Sequence, residues 1–237
     1  MNELLLIVSL LLIFGAVVLF LKIFGKNGLY VWTVIATITA NIEVLIQVDA
    51  FGMSMTLGNI LFASTFLVTD ILSEIYSKKD AKRAVIYGIA TNISFIVISQ
   101  TWLFYTPNET DFAFPSIQTI FSNTPRIMLS SLVVYIICQY FDVWLYHKWW
   151  EITEKKSGKT KPFLWLRNNG STLVSQLLNT FLYNFFAFYG MEGFDLKYTL
   201  MISLSGYVIF IVTSLADTPF IYFARRMMEN KTERDES

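Results

Sequence analysis

The chain has 237 residues, of which 54% are hydrophobic, 16% are aromatic and only 15% are charged, against roughly 25% charged residues in an ordinary soluble domain. Its 18 basic and 18 acidic residues cancel, which excludes a nucleic-acid binder with a basic surface and a disordered charged tail. One cysteine and one histidine exclude a disulfide framework and argue against a metal site. Because the apolar residues stand in long runs, the sequence predicts an all-α, polytopic membrane bundle.

Seven stretches are long and apolar enough for a helix to cross the hydrocarbon core, which needs about 20 residues. The first stretch has no cation before its apolar run and no small-residue cleavage site after it. We therefore predict an uncleaved membrane helix there rather than a signal peptide. The predicted spans, numbered one to seven, are Leu4–Phe24, Gly28–Val48, Thr56–Tyr76, Ala84–Tyr105, Arg126–His147, Asn168–Gly190 and Tyr198–Tyr222.

The basic residues alternate between the two ends of these spans. Of the 18 Lys and Arg residues, only Arg126 and Lys197 fall on one side, and the others follow spans one, three, five and seven. Cytoplasmic connections of membrane proteins are enriched in Lys and Arg. The sequence therefore predicts an external N-terminus and a cytoplasmic C-terminus.

Five acidic residues lie inside predicted spans, although a charged group at the bilayer centre costs roughly 3 kcal/mol. No Lys or Arg lies deep in a predicted span, so we expect these acids to lack a buried cation as a partner. Asp70 and Glu43 are the deeper ones, and their position favours a functional role. For Glu74, Asp142 and Asp217 a second interpretation stays open, in which each carboxylate reaches water near the cytoplasmic interface.

Polar residues form stripes on three of the predicted spans, and spacings of three and four place those of span three on one helical face. For isolated hydroxyls, hydrogen bonding between helices is an alternative explanation. Several amides and acids together predict a polar cavity with aromatic walls, which suits a small, flat, hydrogen-bonding solute. The residues are Asn41, Glu43 and Gln47 in span two, Asn59, Phe66, Asp70 and Glu74 in span three, and Ser171, Thr172, Ser175, Gln176, Asn179 and Tyr183 in span six.

Motifs of intramembrane proteases are incomplete in this sequence. Residues 203–206, Ser-Leu-Ser-Gly, have Ser where a rhomboid-type protease needs Gly, and His147 lies at a membrane edge. Neither Asp70 nor Asp217 is accompanied by the Gly-x-Gly-Asp motif of an intramembrane aspartyl protease. The sequence also has no Gly-x-x-x-x-Gly-Lys-Ser/Thr loop for a nucleotide. We therefore predict a transporter of a small polar solute that is not an enzyme and has neither a cofactor nor a metal.

Blocks of residues between about 30 and 222 resemble the queuosine precursor transporter family, in the same order along the chain. The most specific blocks are Asp-Ile-x-x-Glu-x-Tyr at residues 70–76 and Leu-Arg-x-x-x-Ser-Thr-x-x-x-Gln at residues 166–176. The others are Asn41-Ile42, Thr65-Phe66-Leu67-Val68-Thr69, Lys79-x-Ala81-Lys82-Arg83, Arg126-Ile127 with Ser130-Ser131, and Gln139-x-x-Asp142-Val143 with Tyr146.

The resemblance implies a bacterial plasma-membrane importer of 7-deazaguanine derivatives, such as preQ0 or preQ1, for the salvage of tRNA queuosine. The family usually has Asp where this chain has Asn179, and usually has about six helices. The predicted substrate-binding residues are Asn41, Glu43, Asn59, Phe66, Asp70, Glu74, Asp142, Arg167, Ser171, Thr172, Gln176 and Asn179.

The six helices usual in the family suggest how this chain is divided. We expect an additional N-terminal helix with a cytoplasmic turn (residues 1–27), a six-helix core (28–226) and a cytoplasmic polar tail (227–237). Since Ser9 is the only polar residue in the apolar run from Leu4 to Leu21, we expect span one to face lipid and to be dispensable for transport.

Two alternatives to an autonomous importer stay open. The family is distantly similar to the substrate-binding subunits of energy-coupling-factor vitamin transporters, and such a subunit would need a separate ATPase module. A membrane sensor would instead bind the base without moving it. The expected partners are the base and the lipid bilayer, without nucleic acid, and a homo-oligomer is left open.

Overall fold

The long apolar runs of this sequence fold into helices, because lipid offers no partner to an unpaired backbone group. The computed structural model describes residues 1–122, 125–157 and 163–235. In chain order the elements of these residues are α1 (Asn2–Phe24), α2 (Lys26–Glu43), β1 (Gln47–Ala50), β2 (Met53–Thr56), α3 (Gly58–Ile75), α4 (Lys78–Trp102), α5 (Phe114–Ser122), α6 (Pro125–Ser157), α7 (Leu164–Ala187) and α8 (Leu196–Asp235).

The seven predicted spans correspond to α1 to α4 and α6 to α8. Within the described ranges, five of these helices are long and apolar enough to cross a membrane: α1, α3, α4, α6 and α8. Helices α2 and α7 carry more polar residues, and most of those in α7 are buried inside the bundle. The fold is an all-α polytopic membrane bundle, as the sequence predicts.

Helix α3 lies at the centre of the bundle, where it contacts α1, α2, α4, α6 and α8. Every residue from Ala63 to Ser73 is buried, on all faces of the helix. A helix that is surrounded in this way must find partners for its polar groups among the neighbouring helices. Asp70 therefore lies in protein on every side rather than against lipid.

The end of span two was predicted wrongly. Helix α2 stops at Glu43, and residues 47–56 form an antiparallel hairpin in which Gln47 pairs with Thr56. Phe51 and Gly52 make its turn with φ of 54° and 73°, a conformation that glycine adopts without steric cost. The two strands of the hairpin pair their backbone groups with each other. The chain can therefore leave the helix at Glu43 without exposing these groups to lipid.

The connections hold more helix than the sequence indicates. Helix α5 lies between α4 and α6, in a stretch for which we predicted no element. Helices α6 and α8 extend beyond the predicted spans to Ser157 and Asp235. Residues 227–235 of the predicted polar tail therefore continue α8 as helix.

Helix α1 packs into the bundle along one face. Phe14 and Val17 are 0% exposed and share the main apolar cluster with Leu67 of α3. The Phe14 ring also meets Phe220 of α8 edge to face, with the ring centroids 5.6 Å apart. The expectation that span one only faces lipid was wrong, because close van der Waals packing joins membrane helices without any polar residue.

Candidate functional site

A cavity of about 200 Å³ lies among α2, α3, α4, α6, α7 and α8 and reaches the β-hairpin. Its size suits a small solute, since pockets for drug-sized ligands measure about 300–1,000 Å³. Side-chain amides and aromatic rings line it, together with aliphatic and hydroxyl groups. The amides are those of Asn41, Gln47, Asn59, Asn92, Asn179 and Asn184, and the rings are those of Phe62, Tyr135, Tyr183, Phe188, Phe194, Tyr198 and Phe210.

Several of these amides are held by neighbouring groups. The Asn41 side chain donates from Nδ2 to the backbone oxygen of Thr37 at 2.7 Å and lies 3.5 Å from Oδ1 of Asn92. The Asn59 Oδ1 accepts from Thr56, and the Asn184 Nδ2 donates to Ser203, each at 3.2 Å. Each of these bonds uses only part of an amide, which has two donor hydrogens and an acceptor oxygen.

Several polar groups on the cavity wall, among them the buried Thr37 hydroxyl, have no hydrogen-bond partner within the described residues and remain available for a ligand. The Asn179 amide makes no hydrogen bond within the part of the chain that the structure describes. The Tyr183 hydroxyl is buried and likewise has no partner among the described residues. Since nearly all buried polar groups in proteins are paired, these groups point to a bound solute or water in the cavity.

A layer of buried acids lies one to two helical turns beyond the cavity along α3, α6 and α8. Asp70, Asp142 and Asp217 are 1%, 0% and 1% exposed. Thr172 of α7 donates to Oδ2 of Asp70 at 3.0 Å, and Asn168 of α7 donates to Oδ1 of Asp217 at 2.6 Å. The interpretation in which Asp142 and Asp217 reach water was wrong, because the long helices α6 and α8 bury both against α3 and α7.

Asp142 of α6 lies beside Asp70 and beside the hydroxyls of Ser171 and Ser175 on α7. Neither of its carboxylate oxygens forms a hydrogen bond with good geometry within the described residues. Helix α7 thus supplies hydroxyl or amide groups to all three acids of the layer, from Asn168 to Ser175. This accounts for the buried polar residues of α7.

Glu74, one turn further along α3, lies in an ion-paired network. Arg167 of α7 donates from Nη2 to both of its carboxylate oxygens at 2.8 and 2.9 Å, and each of the two side chains is 1% exposed. Tyr146 of α6 donates its hydroxyl at 2.7 Å, and Arg225 of α8 donates from Nη1 at 2.8 Å. Trp150 also lies 4.4 Å from the Arg167 guanidinium, a cation–π contact.

The expectation that the acids lack a buried cation was wrong for Glu74. Helix α7 begins at Leu164, about one turn before the predicted start of span six at Asn168. That extra turn carries Arg167 into the bundle rather than leaving it at the membrane interface. Likewise, Glu74 does not reach water at that interface but is fully paired inside the protein.

A family model described as "Putative vitamin uptake transporter" matches residues 56–224, which include α3 to α7 and most of α8. This chain belongs to the vitamin uptake transporter family. A curated relative, the "Probable queuosine precursor transporter" of Bacillus subtilis (strain 168), is 38% identical over 217 residues, which cover 92% of each chain. The resemblance drawn from the sequence is thereby confirmed. No solved structure matches the chain.

In this vitamin uptake transporter nine of the twelve predicted site residues fall into three layers rather than one site. The cavity is lined by Asn41, Asn59 and Asn179. The acid layer contains Asp70, Asp142, Ser171 and Thr172, and the ion-paired network contains Glu74 and Arg167.

Three further predicted residues lie outside these layers. Phe66 is fully buried against Val134 and Cys138, between the cavity and the acids. Gln176 is 1% exposed, with both amide atoms unpaired among the described residues. Glu43 is half-buried at the end of α2 and does not line the cavity.

The cavity of this vitamin uptake transporter also contains two amides that were not predicted from the sequence, those of Asn92 and Asn184. Asn92 lies in span four, which has no polar stripe, and only the packing of α4 on α2 brings it to Asn41. Asn184 does extend the polar stripe of α7, since it follows Thr180 by four residues. That spacing could have identified it.

Proposed function

We propose that this membrane transporter imports queuosine precursors, 7-deazaguanine bases such as preQ0 or preQ1, across the bacterial plasma membrane for the salvage of tRNA queuosine. The observation that carries the proposal is the cavity of amides and aromatic rings. A guanine-like base has an edge on which hydrogen-bond donors and acceptors alternate, and an amide offers both. Its flat ring system gains from contact with aromatic side chains. The printed name of the Bacillus relative supports the same substrate class.

The predicted orientation makes the cavity an external binding site. The cavity lies at the end of α2, at the start of α3 and at the start of α8, which all face outside when the C-terminus is cytoplasmic. Glu74 and its partners lie near the opposite end of α3, on the cytoplasmic side of the acid layer. With this orientation, the cavity lies on the outer side of the bundle and the contacts of Glu74 close the bundle on the cytoplasmic side.

Release of the base into the cytoplasm then requires the layers below the cavity to separate. The polar contacts that would have to break include the hydrogen bonds of Thr172 with Asp70 and of Asn168 with Asp217. They also include the ion pairs of Glu74 with Arg167 and Arg225. Binding of the base would favour the alternate state only if that state holds the base more tightly. We assign no chemical step to the protein, which moves its substrate unchanged.

The test is uptake of labelled preQ0 and preQ1 by the purified protein in proteoliposomes, with protein-free liposomes and hypoxanthine as controls. We expect uptake of a precursor by this chain alone. Binding without uptake would contradict autonomous transport. Uptake that then appears only with an added ATPase module would identify a substrate-binding subunit, and binding that never leads to uptake would identify a sensor.

A further inference from the structure

The charge of the cavity wall limits which substrates the cavity can hold. As far as the structure describes the chain, every polar side chain on the wall is an amide, a hydroxyl or a phenol, and none is ionised at neutral pH. A neutral base loses its hydration there and regains hydrogen bonds from amides. A cation would lose its hydration and meet no opposite charge.

The buried acids do not supply that charge. Asp70 lies one turn beyond Phe66, whose fully buried ring packs edge to face on Phe62 with centroids 5.4 Å apart. Phe62 itself forms part of the cavity wall, so these two rings lie between the cavity and the acid layer along α3. Oδ2 of Asp70 also already accepts the hydrogen bond from Thr172.

Among the described residues, no charged group near the outer end of the cavity lines its wall either. Arg126 donates to the backbone oxygens of Phe186 and Tyr189 at 2.9 and 2.7 Å, where α7 ends. It thereby occupies carbonyl groups at a helix C-terminus, which would otherwise attract a positive ligand. Glu43 lies two residues beyond Asn41 but does not line the cavity.

We infer that the cavity selects an uncharged 7-deazaguanine and discriminates against one that carries a positive charge. This inference rests on the proposed function and specifies its substrate. PreQ0 carries a neutral nitrile, whereas preQ1 carries an aminomethyl group, an alkylamine that is protonated at neutral pH. The protein is thus an importer of the nitrile precursor.

The test compares the binding of preQ0, preQ1 and unsubstituted 7-deazaguanine to the purified full-length protein in nanodiscs. We expect preQ0 to bind at least about tenfold more tightly than preQ1, a difference of about 1.4 kcal/mol. We expect 7-deazaguanine, which is neutral, to bind with an affinity closer to that of preQ0 than to that of preQ1. Equal binding of preQ0 and preQ1, or tighter binding of preQ1, would overturn the inference and leave the proposed function intact. If none of the three bases binds, the proposed function itself fails.

A single substitution should reverse the selection. Asn179→Asp places a carboxylate on the cavity wall and should narrow or invert the preference for preQ0, whereas Asn108→Asp, the same change in an exposed loop, should leave it unaltered. Asn59→Asp, near the N-terminus of α3 where a carboxylate is favoured, serves as the second variant if the first does not fold. An unchanged preference in a folded cavity variant would contradict the inference. So would a selective loss of preQ1 binding in Asp70→Asn or Glu43→Gln.

Discussion

Arg167 binds Glu74 through two of its nitrogens: Nη2 lies 2.8 and 2.9 Å from the two carboxylate oxygens, and Nε lies 3.3 Å from Oε2. The same carboxylate accepts from Tyr146 and Arg225, so that α3, α6, α7 and α8 meet at one buried anion. A buried ion pair is costly to form and still more costly to break, because the remaining partner keeps an uncompensated charge. This contact therefore ties the four helices together on the side away from the cavity.

We expect Glu74→Gln to lower the free energy of unfolding by roughly 3–5 kcal/mol, because Arg167 is then buried without a counter-charge. Glu151→Gln is the matched control, since it breaks the Lys148–Glu151 pair, in which both side chains are at least half exposed. Such a surface pair contributes about 0–1 kcal/mol. Unfolding of both variants in detergent micelles measures the difference, and equal losses would show that the buried network adds no stability.

Asp70→Asn should abolish uptake while leaving membrane insertion and precursor binding intact. The acid lies outside the cavity wall and links α3 to Thr172 of α7, so we expect it to act when the helices rearrange rather than when the base binds. Glu192→Gln, which removes an exposed acid, is the control. Uptake and binding are measured on the same preparation. Normal uptake in the Asp70 variant would contradict this role.

The same substitution at two neighbouring amides of α7 should change precursor binding at one position and protein stability at the other. Asn179→Leu removes a cavity amide and should weaken precursor binding by about tenfold to a hundredfold. Gln176→Leu removes a buried amide whose two polar atoms have no partner among the described residues, so it should raise stability by roughly 1–3 kcal/mol. Titration with the base and unfolding of both variants test this. Weaker binding in both variants with no gain in stability would place Gln176 in the substrate site instead.

Gly88→Ala should weaken substrate binding although Gly88 does not line the cavity. A Cβ atom at this position of α4 would overlap the hydroxyl of Tyr135, whose ring forms part of the cavity wall. Displacement of that ring changes the shape of the cavity. Gly15→Ala in α1 is the control, because a Cβ atom there meets nothing within 4 Å. We expect weaker binding only in the Gly88 variant, and equal affinities would show that Tyr135 can move without consequence.

Phe14→Ala should destabilise the protein by roughly 3–5 kcal/mol, since the ring is fully buried against the bundle and contacts Phe220. Leu12→Ala, on the exposed face of the same helix, should cost far less, because that side chain only exchanges contacts with lipid. Unfolding of both variants compares the two faces. Equal and small effects would restore the expectation that α1 is an accessory to a six-helix core.

The sequence by itself determined the fold class, the positions of the spans and the family. Each depends on local patterns: an apolar run of about 20 residues must become a helix in lipid, whatever its neighbours are. The motif around Asp70 and Glu74 is local in the same sense. The end of α2 is not, since the hairpin that replaces its last turns packs Ala50 and Met55 into a cluster with Leu6 of α1 and Ile209 of α8, which are distant along the chain.

Only the tertiary structure decided which polar residues share a site. Asn59, Asp70 and Glu74 lie on one face of α3, yet they belong to the cavity, the acid layer and the ion-paired network, and they meet different partners. A helical period specifies the direction in which a side chain points, but neither its depth nor its partner. Both depend on where the neighbouring helices begin: one additional turn of α7 buried Arg167, and the packing of α4 on α2 brought Asn92 to the cavity.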